Sequence, residues 1–455
     1  MTLNKSHRQS LVIMTPNIQP VEKIIIMKSK THKIVIVGGG AAGLELATYL
    51  GRKLGKSGNA EITLLDASST HIWKPLLHEV SAGTLDSAEE IEYLAHAHRN
   101  HFLFRLGRME ALNRQAKEIY VSPTLNDNGH VLIPRRTLVY DTLVLAVGSV
   151  SNAADIHGAS EHCLFLDTTA HAFKFQKQLV ETYVKSHAQK GHAKPLSIAI
   201  IGAGATGVEL SAELHEVTKL LAVYGLEESS NVKISIIEAA DRLLPALPVD
   251  LAIATAQQLI KLDIDLKLGR RVVEVTKETV LIQDGEAIEA NIKIWAAGIK
   301  APDWLQNLDG LTTNHLNQFV VNKTLKTNDE AIFAMGDCAA CYWEGHEENV
   351  PPRAQVAHQQ ANILAQSLTN RLQGKMLVEF IYHDYGSLIS LGNYATVGNL
   401  MRSFGSVSVA GFIAKLAYLS LYKTHQIAIH GYFRTAMLTL SNLFRRATHA
   451  RIKMH

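Results

Sequence analysis

Two short apolar runs, both rich in β-branched residues, each lead into a glycine-rich turn and then into a helical pattern. The first run covers residues 34–37 and precedes a helix predicted near residues 42–54, while the second covers residues 197–201 and precedes a helix near residues 206–221. A continuous apolar run of this length, bounded by glycine, is typical of a strand buried on both faces of a parallel sheet. The pattern therefore predicts two strand–turn–helix units in one chain.

Each turn carries glycines in the spacing G-x-G-x-x-G. They are Gly38, Gly40 and Gly43 in the first glycine turn (residues 38–43) and Gly202, Gly204 and Gly207 in the second glycine turn (residues 202–207). In a dinucleotide-binding turn the first glycine permits the bend, the second lets a pyrophosphate approach the backbone, and the third lets helix and strand pack closely. The phosphates then lie against free N–H groups at the positive end of a helix. A strand–helix turn without a ligand is the alternative, but two copies in this context predict two bound dinucleotides with electron transfer between them.

Acidic residues mark the end of the second strand in each unit. Asp66 follows an apolar strand predicted at residues 61–65, and Glu238 follows one predicted at residues 232–237. A carboxylate in this place accepts a hydrogen bond from a ribose hydroxyl. Three further apolar strands end in small residues, which suits a close approach of the backbone to a cofactor. These strand ends are Ala146 with Gly148, Gly298, and Gly336 with Asp337.

The strand that ends at Gly336 comes after the whole second unit and is predicted to return to the first. The fold class is therefore α/β, with two Rossmann-like dinucleotide-binding domains, the second inserted in the first. The expected boundaries are 31–155 with 300–390 for the first domain, 156–299 for the second, and 391–455 for a separate C-terminal region. Residues 1–30 are polar and lack the apolar core of a secretory signal, which predicts a disordered N-terminal tail.

Charge is distributed unevenly along the chain. The 455 residues are 47% apolar and 19% charged, as in an ordinary globular protein, and the net charge is only +3. After Asp384, however, the sequence contains no acidic residue. It contains eight basic ones: Arg402, Lys415, Lys423, Arg434, Arg445, Arg446, Arg451 and Lys453. A net acidic body therefore carries a basic tail.

Two segments of this tail, residues 411–423 and 432–446, combine basic residues with an apolar helical face. In the second segment the apolar residues at helical spacing are Phe433, Met437, Leu440 and Phe444. A core helix explains the apolar faces but not the uncompensated charge, whereas helices lying on an anionic lipid bilayer surface explain both. Nucleic acid is excluded as a partner because the apolar faces would have no role there. Because the sequence lacks a run of about 18 apolar residues, no membrane-spanning helix is predicted.

Three cysteines and two histidines raise the question of redox or metal chemistry. The three cysteines, Cys163, Cys338 and Cys341, are too few to form a disulfide framework, which favours an intracellular location. Cys338 and Cys341 form C-x-x-C at a predicted helix start, either as a redox-active dithiol or, as we favour, as structural thiols. His71 and His78 lie seven residues apart without a cysteine or carboxylate cluster beside them in the sequence. We expect them to pack and hydrogen-bond, and we expect no metal site.

With both glycine turns and the Gly336-Asp337 strand end in this order, the chain resembles the flavoprotein superfamily that has two dinucleotide-binding domains. The sequence HIWKPLLHEV at residues 71–80 resembles the flavin-contacting segment of the type II NADH dehydrogenases, and AQVAHQ at residues 354–359 matches their A-Q-x-A-x-Q quinone signature. The resemblance covers residues 33–455 and is strongest to the bacterial respiratory enzymes. It implies an FAD-dependent NADH:quinone oxidoreductase that passes a hydride from NADH to non-covalently bound FAD, and then two electrons to a membrane quinone, without pumping protons.

The resemblance also implies a location and leaves alternatives. It implies a peripheral protein at the cytoplasmic face of the inner membrane, and it allows a homodimer. One alternative is a soluble NADH-dependent flavin reductase that acts on a thiol, a peroxide or a small redox protein. A second is a flavoprotein that signals through a partner surface.

Residue roles follow from the resemblance by position. The FAD pyrophosphate and ribose are assigned to Gly38, Gly40, Gly43 and Asp66, and the flavin surroundings to Lys74, Pro75, Ala146, Gly148, Gly336, Asp337 and Ala354. NADH is assigned to Gly202, Gly204, Gly207, Glu238 and Gly298. The candidate catalytic residues are Glu209, Gln355 and Gln359. Glu209 is either a carboxylate near the nicotinamide or quinone, or a solvated helix residue. Many relatives carry a lysine within residues 382–386, where this chain has Tyr385.

Overall fold

The computed structural model describes residues 31–83, 90–126, 128–153, 155–188, 196–223, 232–391, 395–402, 405–410 and 412–448. The disordered tail expected at residues 1–30 lies outside these stretches. Two five-stranded parallel sheets occupy the centres of the two strand–turn–helix units. The first contains, in spatial order, the strands Ile332–Ala334, Thr142–Leu145, His32–Val37, Ala60–Asp66 and Leu103–Leu106. The second contains Leu164–Phe165, Ile292–Trp295, Leu196–Ile201, Val232–Ile237 and Ile264–Lys267.

Both sheets follow from the apolar runs of the sequence. Every neighbouring pair of strands in them is parallel. The strand Thr142–Leu145 is buried along its whole length, and so are the last four residues of His32–Val37 and of Leu196–Ile201. Strands buried on both faces need continuous Ile, Val and Leu rather than an alternating pattern, which is what these segments have.

The described residues include ten α-helices. In chain order they are α1 (Ala41–Leu50), α2 (Leu77–Ala82), α3 (Tyr93–Arg99), α4 (Ala159–His162), α5 (Thr169–Ala188), α6 (Ala205–Val223), α7 (Val249–Lys261), α8 (Ala354–Leu372), α9 (Phe412–His430) and α10 (Tyr432–Thr448). Helices α1 and α6 begin inside the two glycine turns, as predicted, and α1 continues as a π-helical turn at Gly51–Gly55. Helix α1 packs against α8 and α9, while α2 packs against α5 and α6.

The insertion of the second unit in the first is visible in the strand pairing. The strand Thr142–Leu145 pairs with His32–Val37 on one side and with Ile332–Ala334 on the other. The first sheet is therefore completed only after the chain has formed the second. A short antiparallel pair, Val150–Ser151 with Ile299–Lys300, joins the outgoing and returning connections.

Smaller sheets complete the architecture. The antiparallel three-stranded sheets are Arg136–Val139 with Glu118–Val121 and Met109–Asn113, Val272–Val275 with Thr279–Ile282 and Ala287–Glu289, and Gly386–Leu391 with Ala395–Arg402 and Gly405–Ala410. The remaining two-stranded pairs are Thr70–His71 with Ile91–Glu92, Thr124–Leu125 with Val131–Ile133, and Phe319–Val321 with Ala339–Cys341. The last pair corrects an expectation, because the helix predicted after Gly336 is a single 3₁₀ turn, Gly336–Cys338, followed by a strand.

The chain from Gly386 onwards contacts both units. Ile389 and Leu391, in the strand Gly386–Leu391, belong to the hydrophobic core of the second unit, whereas Ile429 of α9 belongs to the core of the first. Both helices predicted in the tail are present, and α9 extends beyond its predicted end. Within the described stretches, each helix is too short or too polar to cross a bilayer.

Candidate active site

In the first glycine turn the three glycines have the backbone geometry that a dinucleotide-binding turn requires. Gly38 has a φ of 99°, and a Cβ there would overlap the backbone of Ala146, while a Cβ at Gly43 would overlap the carbonyl of Gly38. A Cβ at Gly40, by contrast, would meet no described protein atom within 4 Å. The open space beside Gly40, at the start of α1, fits a pyrophosphate.

The backbone N–H and the carbonyl of Gly39 in this turn are both hydrogen-bonded. Its N–H donates to Asp66 Oδ2 at 2.6 Å, and its carbonyl accepts from the Tyr93 hydroxyl at 2.6 Å and lies 3.0 Å from Nδ1 of His71. Asp66 also accepts from the N–H of Ser68 at 2.7 Å, and burial raises the pKa of its carboxyl. The carboxylate therefore lies beside the turn, at the end of its strand, where a ribose would follow the pyrophosphate.

The second glycine turn has the same backbone geometry. Gly202 has a φ of 110°, and a Cβ there or at Gly207 would overlap backbone atoms. A Cβ at Gly204 would meet no atom of the described residues within 4 Å. The small-residue strand ends match as well, because Gly148 and Gly298 have φ values of 74° and 66°. Only glycine adopts such a conformation without strain, so both ligand-facing edges are fixed by the sequence.

Glu238 has the place in the second unit that Asp66 has in the first. It accepts from the N–H of Ala203 at 2.7 Å and from the N–H of Ala240 at 2.9 Å. The carbonyl of Ala203 accepts from the N–H of Leu244 at 2.9 Å. Each unit therefore holds its turn with one carboxylate from the next strand, but the carbonyl of the same residue has different partners in the two turns.

Three segments meet at Ser149, next to the carboxyl edge of the first sheet. Lys74 Nζ donates to the carbonyl of Ser149 at 2.8 Å, and the Ser149 hydroxyl donates to Asp337 Oδ2 at 2.7 Å. Lys74 and Pro75 begin a 3₁₀ turn, Lys74–Leu76, which sets the position of the lysine. The structure thus brings together the segment expected to contact the flavin and the Gly-Asp strand end. Sequence reasoning missed Ser149, although it directly follows Gly148.

Helix α8 joins this cluster from the other side. The N–H of Gly336 donates to Gln360 Oε1 at 2.7 Å, and Gln360 is fully buried. Ala354 is the first residue of α8 and also the first residue of the quinone signature. Gln360 was also missed from the sequence, since it follows Gln359 outside the A-Q-x-A-x-Q pattern.

Gln355 and Gln359 both hydrogen-bond the backbone of residues 383–386. Gln355 donates to the carbonyl of Gly386 at 3.0 Å and accepts from the N–H of Tyr385 at 3.1 Å. Gln359 donates to the carbonyl of His383 at 2.8 Å and accepts from its N–H at 3.0 Å. The two amides therefore fix this segment against α8, while the Tyr385 side chain is 57% exposed.

Glu209 on α6 is buried rather than solvated. Its Oε1 accepts from the N–H of Ser390 at 3.0 Å, and its Oε2 lies 3.8 Å from Nδ1 of His78. Burial raises the pKa of Glu209 to about 8 and lowers that of His78 to about 4. At neutral pH the pair is therefore a carboxylic acid beside a neutral imidazole, and not an ion pair.

Cys338 and Cys341 lack the surroundings of a redox-active pair. Both thiols are buried, and burial raises the pKa of each to about 11. Reactive cysteines instead have lowered pKa values at exposed, electropositive sites. The Cys338 thiol donates to the carbonyl of Met335 at 3.3 Å, as a structural thiol would. Across the described ranges, no three His, Cys, Asp or Glu side chains are grouped as ligands of a metal ion.

Two glycine turns on two parallel sheets define an oxidoreductase that binds two dinucleotides. In agreement, residues 32–361 match the pyridine nucleotide-disulphide oxidoreductase family. Over 442 residues the chain is 39% identical to the type II NADH:quinone oxidoreductase of Haemophilus influenzae, and this covers 93% of the chain and 99% of that protein. It is 28% identical to the Staphylococcus aureus protein of the same name, covering 86% and 95%. The chain belongs to the type II NADH:quinone oxidoreductases.

Solved structures agree on the fold. The NDH2 of Plasmodium falciparum, determined in complex with NADH, has a TM-score of 0.78 at 19% identity, covering 94% of this chain and all of that one. The sulfide:quinone oxidoreductase of Aquifex aeolicus has a TM-score of 0.67 at 16% identity, covering 88% and 92%. The fold is therefore shared across proteins whose sequences have diverged widely.

Proposed function

We propose that this chain oxidises NADH through non-covalently bound FAD and reduces a quinone. Its main support is the pair of matching glycine turns together with helix α8. That helix carries the quinone signature and is hydrogen-bonded at Gly336 on one side and at Gly386 on the other. A redox path between two dinucleotides and a third, apolar acceptor needs these three parts close together.

The first unit fits FAD. The open space beside Gly40 would receive the pyrophosphate, and Asp66 lies where the ribose would follow. Lys74 and Asp337 are both hydrogen-bonded to Ser149, at the edge of the sheet where the flavin ring would lie. When bound, FAD accepts a hydride from the nicotinamide and passes two electrons to the quinone. The protein contributes position and electrostatics, since Lys74 supplies a positive charge at this edge of the sheet.

The second unit fits NADH in preference to NADPH. The space beside Gly204 receives the pyrophosphate, and Glu238 is placed to accept from a ribose hydroxyl. A 2′-phosphate would meet the negative charge of Glu238, and like charges at this distance repel.

Glu209 supports a role in proton handling between the two units. Because it is buried and its pKa is about 8, it holds a proton near neutral pH that a less buried carboxyl would lose. Reduction of a quinone consumes two protons as well as two electrons. A carboxylic acid whose pKa is close to the working pH is suited to donate one and to be reprotonated.

The exposed face of α10 supports attachment to a lipid surface. Tyr432, Phe433, Met437, Leu440 and Phe444 on this helix are each at least 49% exposed. A contiguous apolar face among basic residues is typical of helices that lie in the interfacial region of a bilayer. The attached protein would lie at the cytoplasmic face of the inner membrane, where NADH reaches the second unit.

Turnover and flavin reduction together test this function. Purified protein is expected to carry FAD that acid releases, to bleach when mixed with NADH, and to recover its colour when a quinone is added. Protein without flavin, or flavin that NADH reduces but quinone leaves reduced, would contradict the proposal.

A further inference from the structure

A line of buried side chains connects helix α9 to the first glycine turn. His71 Nδ1 lies 3.0 Å from the carbonyl oxygen of Gly39, and His71 Nε2 lies 3.1 Å from His425 Nε2. His425 Nδ1 lies 2.6 Å from Oε1 of Glu45, whose Oε2 lies 2.6 Å from Nδ1 of His358. Glu45, His71 and His425 are each no more than 5% exposed. One carboxylate on α1 thus joins α8, α9 and, through two imidazoles, the turn.

The hydrogens in this line have only one consistent arrangement next to the turn. The Gly39 carbonyl can only accept, so His71 donates through Nδ1. His71 is neutral, because burial holds its pKa well below the usual value, and its Nε2 therefore accepts. His425 must then donate through Nε2. Burial alone would raise the pKa of Glu45, but hydrogen bonds from His358 and His425 lower it, which favours a Glu45 carboxylate that accepts at both oxygens.

We propose that Glu45, His425 and His71 are positioning residues that transmit the docking of α9 to the Gly39 peptide, so that the C-terminal helix helps to retain FAD. The inference rests on FAD occupying the first glycine turn. The Gly39 peptide lies between the glycine that makes the bend and the glycine that faces the open space. Loss of the His71 hydrogen bond would leave this carbonyl held by the Tyr93 hydroxyl alone. The Gly39–Gly40 peptide would then be less firmly oriented, and so would the N–H groups of the turn that bind phosphate.

The docking of α9 has contacts of its own beside this line. The Trp73 ring stacks on Tyr422 at 5.2 Å and on His425 at 5.8 Å between centroids. Arg52 donates to the carbonyl of Ile429 and, through Nε, to Asn100 Oδ1 at 2.7 Å. Helix α9 is thus contacted about one turn before His425, at Tyr422, and about one turn after it, at Ile429. These contacts hold His425 in position to meet Glu45 and His71.

The second glycine turn is the internal reference for this inference. There the carbonyl of Ala203 accepts from the backbone of Leu244 in the same unit. NADH must leave the second turn in every cycle, whereas FAD must stay in the first. A link from the carbonyl of the first turn to a remote helix, where the described part of the second turn uses nearby backbone, fits that difference.

Two substitutions of Glu45 separate hydrogen-bond direction from charge. In Glu45→Gln the amide oxygen still accepts from His358, and the amide N–H can donate to His425 Nδ1, so His425 still donates to His71. We expect FAD release within about twofold of wild type. In Glu45→Leu the line is cut, and we expect FAD release to be faster by about tenfold or more, since buried groups lose their partners.

A second pair of substitutions tests the same line from α9. His425→Phe keeps a ring of similar shape but removes both hydrogen bonds, and we expect the same acceleration as for Glu45→Leu. The control is His430→Phe, on the same helix, whose ring contacts His96 edge-on at 5.8 Å. It lies outside the line, and we expect wild-type retention. The double variant Glu45→Leu/His425→Phe is expected to release FAD no faster than either single variant.

The readout is the release of FAD from purified holoenzyme, followed as the rise of flavin fluorescence after dilution, with circular dichroism as the measure of folding. If wild type holds FAD while Glu45→Leu and His425→Phe release it no faster, the inference is wrong and the proposed function stands. If Glu45→Gln releases FAD as fast as Glu45→Leu, the inference is also wrong. Wild-type protein without FAD would instead contradict the proposed function. If Glu45→Leu does not fold, His425→Phe with its His430→Phe control decides.

Discussion

In the first glycine turn the carbonyl of Gly39 is held by the Tyr93 hydroxyl and by His71, two side chains from outside the turn. In the second, the carbonyl of Ala203 accepts from the nearby backbone of Leu244. The N–H groups of the same two residues donate to matching carboxylates. Two turns with the same glycine geometry thus differ in what surrounds one peptide group.

This difference between the turns separates the recognition of a dinucleotide from its retention. The glycines and the strand-end carboxylate create space and N–H donors for a pyrophosphate and a ribose, which is enough for a nucleotide that exchanges. A nucleotide that must stay bound needs a turn that does not open, and additional contacts from buried side chains oppose such opening. The motif alone therefore defines a dinucleotide site, while its surroundings define how long the dinucleotide stays.

The largest effect is expected from adding bulk to the open glycine of each turn. A Cβ at Gly40 or Gly204 would meet no described protein atom within 4 Å, so we expect the fold to survive a small side chain there, while that side chain takes the place of the pyrophosphate. We expect Gly40→Val to lose FAD and about a hundredfold in turnover. Gly204→Val should keep FAD and raise KM for NADH by about tenfold or more.

Flavin absorbance and steady-state kinetics on the two purified variants measure this difference. The comparison between the turns fails if Gly204→Val is the variant that loses its flavin.

A smaller effect, confined to one half of the reaction, is expected from Gln359→Leu. This change removes two hydrogen bonds to His383 and loosens residues 383–386 from α8. We expect quinone reduction to fall by about tenfold, while stopped-flow reduction of FAD by NADH stays near wild type, since the second turn is untouched. Gln366→Leu, an exposed glutamine further along α8, is the control. Equal loss in both half-reactions would argue against a quinone-side role.

Glu238 gives a sharper test of the second turn. In Glu238→Ala the negative charge near the ribose is lost, together with the acceptors of Ala203 and Ala240. We expect the ratio of kcat/KM for NADH over NADPH to fall by about tenfold, because the repulsion of the 2′-phosphate disappears. Asp66→Asn, in the other turn, should weaken FAD retention and leave this ratio unchanged. An unmodified protein that uses NADPH as well as NADH would contradict the assignment of Glu238.

The parts of this comparison that a sequence can predict are local. A glycine that is required by a positive φ, or by a close approach of the backbone, can be recognised from a short motif. The acidic residue at the end of the next strand then follows further along the sequence. The hydrogen bonds from Tyr93 and His71 to the carbonyl of Gly39 have no such local sequence pattern. His71 and His425 are 354 residues apart, and each alone predicts only a packed histidine.

The same limit explains the misplaced element after Gly336. A Gly-Asp strand end followed by small residues predicted a helix start, but Ala339–Cys341 pairs with the distant strand Phe319–Val321. Pairing with a strand that already exists overrides a weak local preference. Likewise, the N–H of Ser390 that donates to Glu209 lies 181 residues away in the sequence, so the burial of Glu209 and its raised pKa could not be predicted from the sequence.

A pH effect is expected between the two units, at Glu209. Burial raises its pKa from 4.5 to about 8, so the folded protein binds the proton more tightly than the unfolded chain. Its contribution to stability is complete below about pH 4.5 and is lost as the pH rises towards about 8. Glu209→Gln stays neutral, so between pH 6 and pH 9 wild type should lose roughly 2–4 °C more in Tm than the variant.

Thermal unfolding of both proteins in matched buffers measures this, with Glu161→Gln, at a side chain 79% exposed, as the control. Parallel curves for wild type and Glu209→Gln would mean that Glu209 ionises normally.

The smallest effect on turnover with a water-soluble quinone is expected from α10. Removal of residues 432–455 deletes the exposed apolar face but leaves α9 and its link to the first glycine turn. We expect this protein to keep FAD and soluble turnover but to stop floating with anionic liposomes. Removal of residues 408–455 should release the protein from liposomes and also speed FAD loss, because His425 is gone. The second turn should bind NADH equally well in both.

High salt on the full chain separates the two contributions of the tail. Salt screens surface charge but not apolar burial, so it should weaken attachment without abolishing it. If the protein lacking only residues 432–455 loses FAD as fast as the one lacking residues 408–455, then α10 and not α9 would stabilise the first turn. That outcome would leave the two turns different but would move the cause of the difference away from the buried line of Glu45, His425 and His71.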